Sequence, residues 1–391
     1  MVSQKNSTQA STVDILEMLS EGGLDKLGEV FQILFNAAMV AERQKYLGAQ
    51  PHERTPTRNG HANGFKNKTL KTRIGAINLR VPQTRDGDFY PSCLLKGERS
   101  ERALRLAVAE MYIQGVSTRK VAVILEELAG FEISSATVSK ATAELDPMLE
   151  KWRKRPLGCY PYVSLDARYE KVRHGASVLE NGVLVAMGIA PDGTREILGV
   201  SVALSEAEDH WKKFLSGLHA RGLRGVRLLT SDSHRGLKAA RREIFPTVPW
   251  QRCQTHLQRN AQSYVPKTEM KHAVAADIRA VFLAPDHEEA KRLLNKAIAK
   301  YERNAPKLSS WMAENIPEGL AVFNFPVEHR LRVRTTNYVE RLNRELKRRT
   351  RVVSIFPNES SCLRLVTALA MEMSEEWEAR PKYKARALKF D

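Results

Sequence analysis

Apolar and polar residues alternate in two different ways along the N-terminal part of the chain. Residues 14–45 carry apolar side chains three and four positions apart, interrupted at Gly22-Gly23, which predicts a helical arm or an oligomerisation element. Residues 51–64 are rich in Gly, Asn and Pro and indicate a loop. Residues 68–89 alternate in short runs around Gly75, and this pattern predicts a basic β-hairpin.

Helical spacing returns in residues 100–146, which predict a helix, a short turn containing Gly130 and a second helix. Ser or Thr at 117–118 can cap the first helix, and the serines at 134–135 can cap the second. This order is typical of a helix-turn-helix, whose second helix would enter the major groove of DNA. An ordinary pair of antiparallel helices is the alternative, because so short a motif is weak evidence by itself.

The middle of the chain changes to short apolar runs of strand length. They occupy residues 159–169, 182–190, 194–202, 226–232 and 248–253. Amphipathic helical patterns at 205–220 and 234–245 separate the last three runs. Three strands, helix, strand, helix, strand is the order of an α/β ribonuclease-H-like domain.

From about 257 to 330 the pattern is helical only, which predicts an all-α insertion into that domain. A basic helix at 335–350 and a further helix at 359–378 follow. We therefore expect a mainly helical N-terminal DNA-binding region, with a helix-turn-helix and a small β-hairpin, before an interrupted catalytic domain. The expected segments are a helical dimerisation element (1–50), the hairpin segment (51–99), the helix-turn-helix region (100–150), the catalytic domain (151–256 and 331–391) and the insertion (257–330).

Composition limits the class of protein. The 391 residues are 42% hydrophobic, which is enough for packed cores in two or three domains. No apolar run reaches the ~18 residues of a membrane span, and the first twelve residues lack a signal-peptide pattern. The four cysteines are scattered without a Cys-x-x-Cys pair. We expect a cytoplasmic protein, associated with the nucleoid and not with a membrane.

The net charge of +17 indicates a polyanionic partner, and its distribution is uneven. Residues 52–85 contain eight Lys and Arg against one acid, and residues 328–351 contain nine against three glutamates. Clusters of this kind neutralise DNA phosphates and release counterions, although a solvated basic surface would look the same.

Two aspartates follow strand-like runs. Asp166 ends the first run of the middle region and Asp232 ends the run at 226–232. Functional groups of α/β sheets collect at the carboxyl ends of strands, so these carboxylates converge if the two strands are neighbours. Asp192 also lies near a strand, but Pro191-Asp192-Gly193 is typical of a turn.

A third carboxylate could come from the basic helix. Glu340 and Glu345 are five positions apart, so only one of them can face a site. Asn337, Glu340 and Asn343 share a polar stripe, which favours Glu340. A surface pair between Glu340 and Arg344 would explain the same residue, and spacing alone supports the trio of acids only weakly.

Taken together, three segments resemble the DDE transposases of bacterial insertion sequences in the Mutator-like superfamily. They are YVSLDARYEKVR, LLTSDSHRGL and TTNYVERLNRELKRR, and CQTH at 253–256 is similar to the C/D-x-x-H element of that superfamily. The resemblance covers about residues 50–370, with 66 residues between the two aspartates and 108 between Asp232 and Glu340. One local difference is Ser233, which stands at a position where Gly or Ala also occurs in relatives. The difference is conservative.

The resemblance implies a metal-dependent DNA nuclease and 3′-OH strand transferase. Asp166, Asp232 and Glu340 would be catalytic and would bind two Mg²⁺ or Mn²⁺ ions. Cys253, His256 and Asn337 would be auxiliary residues of the same site, although a buried Cys beside a His at a helix start is common without such a role. Trp311 is better explained as a core residue than as a platform for a displaced base.

The expected partners are the terminal inverted repeats and target DNA, held by a homodimer on paired ends. The residues expected to contact DNA are basic or polar side chains of the two basic clusters and the second helix of the helix-turn-helix. They are Arg58, Lys66, Lys68, Arg73, Thr137, Lys140, Arg344, Lys347, Arg348 and Arg351.

Three alternatives remain at the level of sequence. A DNA-binding protein with an inactive catalytic domain is disfavoured by the presence of all three acids. A structure-selective DNA nuclease with the same catalytic fold is disfavoured by the helix-turn-helix and the long insertion. An RNA-directed nuclease has least support, because no aromatic stacking platform is evident.

Overall fold

The computed structural model describes residues 12–97, 100–131, 133–379 and 388. It is a mixed α/β protein whose chain divides into two units, Met1–Glu144 and Leu145–Asp391. The first eleven residues, which include most of the segment predicted to lack a signal-peptide pattern, lie outside the described residues, as do most positions after 379.

The first unit begins with the helical arm. Helix α1 covers Thr12–Gly22 and α2 covers Leu27–Leu47, with a 3-10 turn at Gly23–Lys26 between them. The interruption falls at the predicted glycine pair, where Gly23 has a φ of 53° that other residues rarely adopt.

A two-stranded hairpin packs against α2. Strands β1 (Ala62–Thr72) and β2 (Gly75–Thr84) are antiparallel, and Thr72 lies opposite Gly75, as the alternation around Gly75 predicted. Two amide side chains of α2 accept hydrogen bonds from the backbone of β2. Gln32 Oε1 accepts from the N–H of Asn78 at 3.0 Å, and Asn36 Oδ1 accepts from that of Arg80 at 2.8 Å. The helix thus covers N–H groups that an open strand edge would expose.

Three more helices complete the first unit: α3 (Arg102–Ile113), α4 (Thr118–Ala129) and α5 (Ser135–Ala143). Ser117 caps α4 by accepting from Lys120 N, and Ser134 caps α5 by accepting from Thr137 N, so the first serine of each candidate pair is the cap. Gly130 ends α4 in the left-handed conformation. The helices share an apolar core centred on Val121 and Val138.

The second unit contains a five-stranded sheet. Helix α6 (Asp146–Arg153) precedes strands β3 (Tyr162–His174), β4 (Ser177–Ile189), β5 (Arg195–Ala203), β6 (Leu228–Ser231) and β7 (Trp250–Arg252). The strand order is β5-β4-β3-β6-β7. Strands β3, β4 and β5 are antiparallel, whereas β6 and β7 run parallel to β3. All five strands were predicted from their apolar runs.

The two faces of the sheet pack against different helices. Helices α7 (Glu208–Ala220) and α8 (Arg235–Ile244) cover one face, where Val163, Leu165 and Leu229 join their apolar core. Side chains one position away point to the other face, because successive residues of a strand alternate. Tyr162 and Leu228 accordingly join a second core, made mostly by later helices.

Those later helices are α9 (Gln254–Ala261), α10 (Met270–Phe282), α11 (His287–Tyr301), α12 (Pro306–Asn315), α13 (Val327–Val333), α14 (Asn337–Val353) and α15 (Glu359–Ala379). Trp311 of α12 is 8% exposed and stacks on Tyr264, which makes it a core residue as expected. No helix within the described residues is long and apolar enough to cross a membrane.

Two helical glycines of the sheet-covering layer provide a matched test of this packing. A Cβ added at Gly236 of α8 would meet the backbone oxygen of Glu206 at 2.3 Å, whereas one added at Gly217 of α7 would meet nothing within 4 Å. Gly236→Ala should lower the free energy of unfolding by about 1–3 kcal/mol through overpacking. Gly217→Ala should raise it by roughly 0.5–1 kcal/mol, because alanine is the better helix former.

Urea unfolding followed by circular dichroism would measure both changes. Equal effects of the two substitutions would contradict the close approach of α8 to the chain before α7.

Candidate active site

Asp166 and Asp232 come together because β3 and β6 are parallel neighbours. The pairing joins Tyr162 to Leu228 and Ser164 to Thr230, an offset of 66 residues, and Asp166 and Asp232 have the same offset two positions beyond the last of these pairs. Both aspartates have the strand parity of Tyr162 and Leu228, so both side chains lie on the face away from α7 and α8. The two aspartates therefore converge, as predicted for neighbouring strands. Asp232 directly follows β6, but Asp166 lies in the middle of β3 and not at its end, because β3 continues to His174 as the partner of β4.

Helix α14 is fastened to this face by polar contacts with β3. Arg168 pairs with Glu170 at 2.6 Å and donates to the backbone oxygen of Asn343 at 2.5 Å. Thr350, which is about two helical turns beyond Asn343 in α14, donates to the same Glu170 carboxylate at 2.9 Å. The side chains of Arg168 and Glu170 are only 15% and 11% exposed, so their charges are shielded from water. We call this group (Arg168, Glu170, Asn343 and Thr350) the β3–α14 clamp.

The beginning of α14 is tied to the beginning of α9. Thr336, which precedes α14, donates to the sulfur of Cys253 from its backbone N–H at 3.4 Å and from its hydroxyl at 3.3 Å. The backbone N–H of Gln254 donates to Arg334 O at 3.0 Å, and the Thr255 hydroxyl donates to Asn337 Oδ1 at 3.4 Å. These contacts set Asn337 and the helix that carries Glu340 against the segment that carries His256.

His256 lies between two of the predicted acids. Its Nε2 is 3.6 Å from Glu340 Oε1 and its Nδ1 is 3.8 Å from Asp232 Oδ2. Glu340 is one-third exposed and faces this centre. Asp166 is joined from the other side by Asn343, whose Nδ2 donates to Asp166 Oδ2 at 2.7 Å. The three acids, His256 and Asn343 thus form one cluster.

The electrostatics of the cluster follow from burial and proximity. Burial raises the pKa of Asp166 to about 6, although a backbone hydrogen bond from Ala167 and the charge of His256 act in the opposite direction. A hydrogen bond with Cys253 raises the pKa of His256 to about 9, against the effect of burial. Burial alone would raise the pKa of Cys253, but hydrogen bonds from His256 and Thr336 lower it.

Some of these residues could hold a cation. One potential ligand atom each from Cys253, His256 and Glu340 lie within 4.8 Å of one another. Glu340 Oε1 and Asn343 Oδ1 are buried, and neither has a hydrogen-bond donor among the described residues. Buried oxygens without a donor are costly unless something else satisfies them, and a cation is one such partner.

The other faces of α14 explain why Glu345 is not part of the cluster. Its carboxylate accepts hydrogen bonds from Arg348 at 2.6 Å and from Arg349 at 2.9 Å. Arg349 is itself buried and also pairs with Glu372 of α15. Arg344, Lys347 and Arg351 are exposed, which a contact with DNA would require. The guanidinium group of Arg348 forms an ion pair with Glu345.

The basic residues predicted to contact DNA in the first unit differ in their availability. Lys66 and Lys140 are exposed. Arg58 donates to the backbone oxygens of Glu53 and Gly60, and Lys68 donates to the Tyr90 hydroxyl and the Leu95 oxygen. Part of the basic cluster therefore stabilises its own loops.

The two remaining predicted positions carry internal contacts as well. Arg73 pairs with Glu101 at 3.2 Å but stays 72% exposed. The Thr137 hydroxyl lies 3.0 Å from that of Ser134, which caps the same helix. The side chain of Ser135, which the helix-turn-helix pattern also directs outward, lies outside the described residues.

Sequence reasoning missed the residues that position the acids. Asn343 was noticed only as a member of the polar stripe, yet it is the side chain that holds Asp166. Arg168 and Glu170 were not singled out, although two opposite charges of the same strand parity directly after Asp166 are an unusual feature of a buried strand. Thr336 carries no signal of its own, because its partner Cys253 is 83 residues away.

Comparisons with known proteins give one family. The model of the family described as "Transposase, Mutator family" matches residues 1–380. The chain is 56% identical to the transposase for insertion sequence element IS406 of Burkholderia multivorans over 361 residues, which cover 92% of this chain and 93% of that protein. It is 44% identical to the transposase for insertion sequence element ISRM5 of Rhizobium meliloti, covering 92% and 90%. It is 39% identical to the transposase for IS256 in transposon Tn4001 of Staphylococcus aureus, covering 89% and 90%.

The Glu345 contacts predict a pH-dependent contribution to stability. A hydrogen bond from Arg348 has the largest effect on the pKa of Glu345 and lowers it. Burial acts in the opposite direction, a hydrogen bond from Arg349 lowers the pKa further, and the resulting value is about 2. A lowered pKa stabilises the fold above the unfolded value of about 4.3, and the contribution is lost as the pH falls toward 2. Glu345→Gln should therefore lower the free energy of unfolding at pH 7 by about 0.5–1 kcal/mol, a value kept small because solvent screens the pair.

Urea denaturation of both proteins between about pH 7 and pH 3 would measure the difference. It should shrink below about pH 4.3. A difference that stays constant over this range would show that the carboxylate charge is not its source.

Proposed function

Because the chain belongs to the Mutator family of transposases, we propose that it binds the terminal inverted repeats of an insertion sequence and catalyses metal-dependent DNA strand cleavage and 3′-OH strand transfer. The observation that carries this proposal is the meeting of Asp166, Asp232 and Glu340 around His256. Three acids from distant parts of the chain are held at one point, beside a helix whose outer face is basic.

The sheet supports assignment of the second unit to the ribonuclease-H-like class. Three antiparallel strands come first and two parallel strands follow, in the order β5-β4-β3-β6-β7. Asp166 lies within the central strand β3, Asp232 directly follows its neighbour β6, and α14 adds the third acid across the same face. Residues 257–330, whose described elements are all helical, would then be the predicted insertion between the second and third acid.

The residues fit a divalent cation on two grounds. The acids supply the oxygen donors that Mg²⁺ and Mn²⁺ prefer, and Glu340 Oε1 lacks a donor among the described residues. The Cys253, His256 and Glu340 group is chemically better suited to a softer metal. Since the Cys253 sulfur already accepts two hydrogen bonds from Thr336, we assign the cation site to Asp166, Asp232 and Glu340.

Two divalent ions bound there would activate the attacking oxygen and stabilise the leaving 3′ oxygen. The protein residues orient the ligands. Asn343 fixes one oxygen of Asp166, and the β3–α14 clamp sets the distance of Glu340 from both aspartates. Rigid placement of this kind is how phosphodiester chemistry is accelerated without a covalent protein intermediate.

His256 and Cys253 would organise the same centre. The imidazole lies within 3.8 Å of Asp232 and 3.6 Å of Glu340, so a protonated His256 reduces the repulsion between these acids before DNA binds. Cys253 connects this histidine to Thr336 and thus to the start of α14. We assign both residues to local organisation and to the positioning of DNA.

The reaction then has two chemically similar steps. Water attacks the phosphodiester at the element end and leaves a 3′-OH, and that 3′-OH next attacks a phosphodiester of the target DNA. Both steps displace a 3′ oxygen, so one arrangement of acids serves both. No Ser or Tyr nucleophile is required.

The DNA surfaces follow from exposed charge. Arg344, Lys347 and Arg351 would neutralise phosphates beside the acids, while Lys66, Arg73, Thr137 and Lys140 would contact the inverted repeats from the hairpin and from α5, the second helix of the helix-turn-helix. Two ends must be paired, so a homodimer is expected, with α1 and α2 as its candidate interface.

Substitution of the proposed ligands provides the main test. Asp166→Asn and Glu340→Gln should each reduce Mg²⁺-dependent nicking of a labelled element end by at least about 100-fold, because each replaces an anionic ligand of the proposed cation site with a neutral amide. Glu345→Gln is the matched control on the same helix and should keep near wild-type nicking.

Mapping of the nicked strand on a sequencing gel measures the outcome. Unchanged cleavage by Asp166→Asn would remove the enzyme assignment and favour a DNA-binding protein. Equal cutting of element ends and random duplex would favour a structure-selective nuclease. Loss of activity in Glu345→Gln alone would reassign the third ligand.

A second test concerns the outer face of α14. Lys347→Ala and Arg351→Ala should each weaken duplex binding. Each should also make the negative slope of log K against log salt shallower by about 1, because each removes one phosphate contact. Lys296→Ala on α11 serves as a charge-matched control and should leave the slope unchanged. Fluorescence anisotropy at several salt concentrations would measure the slopes, and identical slopes for all proteins would place the DNA elsewhere.

A further inference from the structure

A cavity of about 230 Å³ in the second unit opens between helices that also carry residues of the acidic cluster. It is lined from α9, from the end of α10, from α13 and from the turn before α14. Asn337 and Thr255 connect it to the active centre, since Asn337 precedes Glu340 by one helical turn and Thr255 is next to His256. A group held in this cavity would therefore contact Asn337 and Thr255, which adjoin the residues of the active centre in the chain.

The lining combines amide groups with exposed apolar side chains. Gln258 and Asn337 each offer a donor and an acceptor, and no side-chain hydrogen bond of Gln258 is made with the other described residues. Leu283 is 59% exposed and Leu331 is 68% exposed. Leucines this exposed beside a polar cavity make sense if a flat apolar surface covers them when the site is filled.

Two cations complete the cavity. Arg279 and Arg334 both line it, and neither side chain forms an ion pair within the described part of the chain. Guanidinium groups bind phosphates and stack on planar rings. The volume is below the ~300–1,000 Å³ of pockets for drug-sized ligands and suits one planar ring system.

We propose that this cavity binds one nucleobase of the DNA, that of the nucleotide next to the scissile phosphate, and that Gln258 and Asn337 read its edge. Asn and Gln form bidentate hydrogen bonds with base edges, because their amide groups both donate and accept. Leu283 and Leu331 would contact the faces of the base. Arg279 and Arg334 would hold the adjoining phosphates. The proposal rests on the proposed cleavage function and adds a determinant of which terminal sequence is cut.

The test measures Mg²⁺-dependent nicking on a panel of duplexes. Each duplex carries the element end with one nucleotide within two positions of the cut changed to each other base or to an abasic site. For the wild-type full-length protein, a wrong base at one position should slow nicking by about 5- to 150-fold, the effect of one mismatched contact. Gln258→Ala should reduce this preference to within about threefold while cleavage of the abasic duplex is unchanged.

Leu331→Ser gives an independent readout. With 2-aminopurine at the sensitive position, binding by the wild type should raise fluorescence as the base leaves the stack, and Leu331→Ser should lose at least half of that rise. Val327→Ser is the matched control, because Val327 is 68% exposed on the same helix but does not line the cavity. It should behave as the wild type in both assays.

The outcomes separate the two proposals. Wild-type nicking that is equally fast on every duplex, or variants that slow all duplexes alike, would overturn the base pocket and leave the cleavage function intact. Absence of metal-dependent nicking by the wild type would remove the cleavage function and the pocket with it. Leu331 is exposed and Gln258 is half-buried, and a thermal melt of each variant tests whether it is folded.

Discussion

The contact between β3 and α14 is the constraint on which the second unit depends. Arg168 and Glu170 form an ion pair that is largely shielded from water, and each partner also binds α14, through the Asn343 backbone oxygen and the Thr350 hydroxyl. A shielded pair is stable only when hydrogen bonds compensate for the lost hydration, and α14 supplies one such bond to each partner. The same contact that reduces this electrostatic cost therefore sets the position of Glu340 relative to Asp166 in β3 and to Asp232 after β6.

The features of the fold and site that the sequence predicts are those that depend on residues close together in the chain. The strands of the sheet, both helix caps and the break at Gly22-Gly23 follow from patterns a few residues long, and they occur where the patterns indicated. The pairing of Asp166 with Asp232 required only that their strands be neighbours. The contacts of Asn343 with Asp166 and of Thr336 with Cys253 join residues 177 and 83 positions apart, and no spacing rule of a single sequence encodes such pairs.

The excess of positive charge has two uses that composition could not separate. Arg58 and Lys68 donate to oxygens of their own unit, and Arg349 is buried between two glutamates. Lys66, Lys140, Arg344 and Lys347 remain exposed. The charge available to a polyanion is thus smaller than the formal total, but it is concentrated on the hairpin, on α5 and on the outer face of α14.

The long sequence separation across the β3–α14 clamp has a consequence for biosynthesis. Arg168 and the Asn343 oxygen that it binds are 175 positions apart. At the usual ~5–20 residues per second, roughly 9–35 s pass on the ribosome between the synthesis of the first partner and that of the second. The first unit is therefore complete well before the three carboxylates can meet, and a chain that ends early never assembles them.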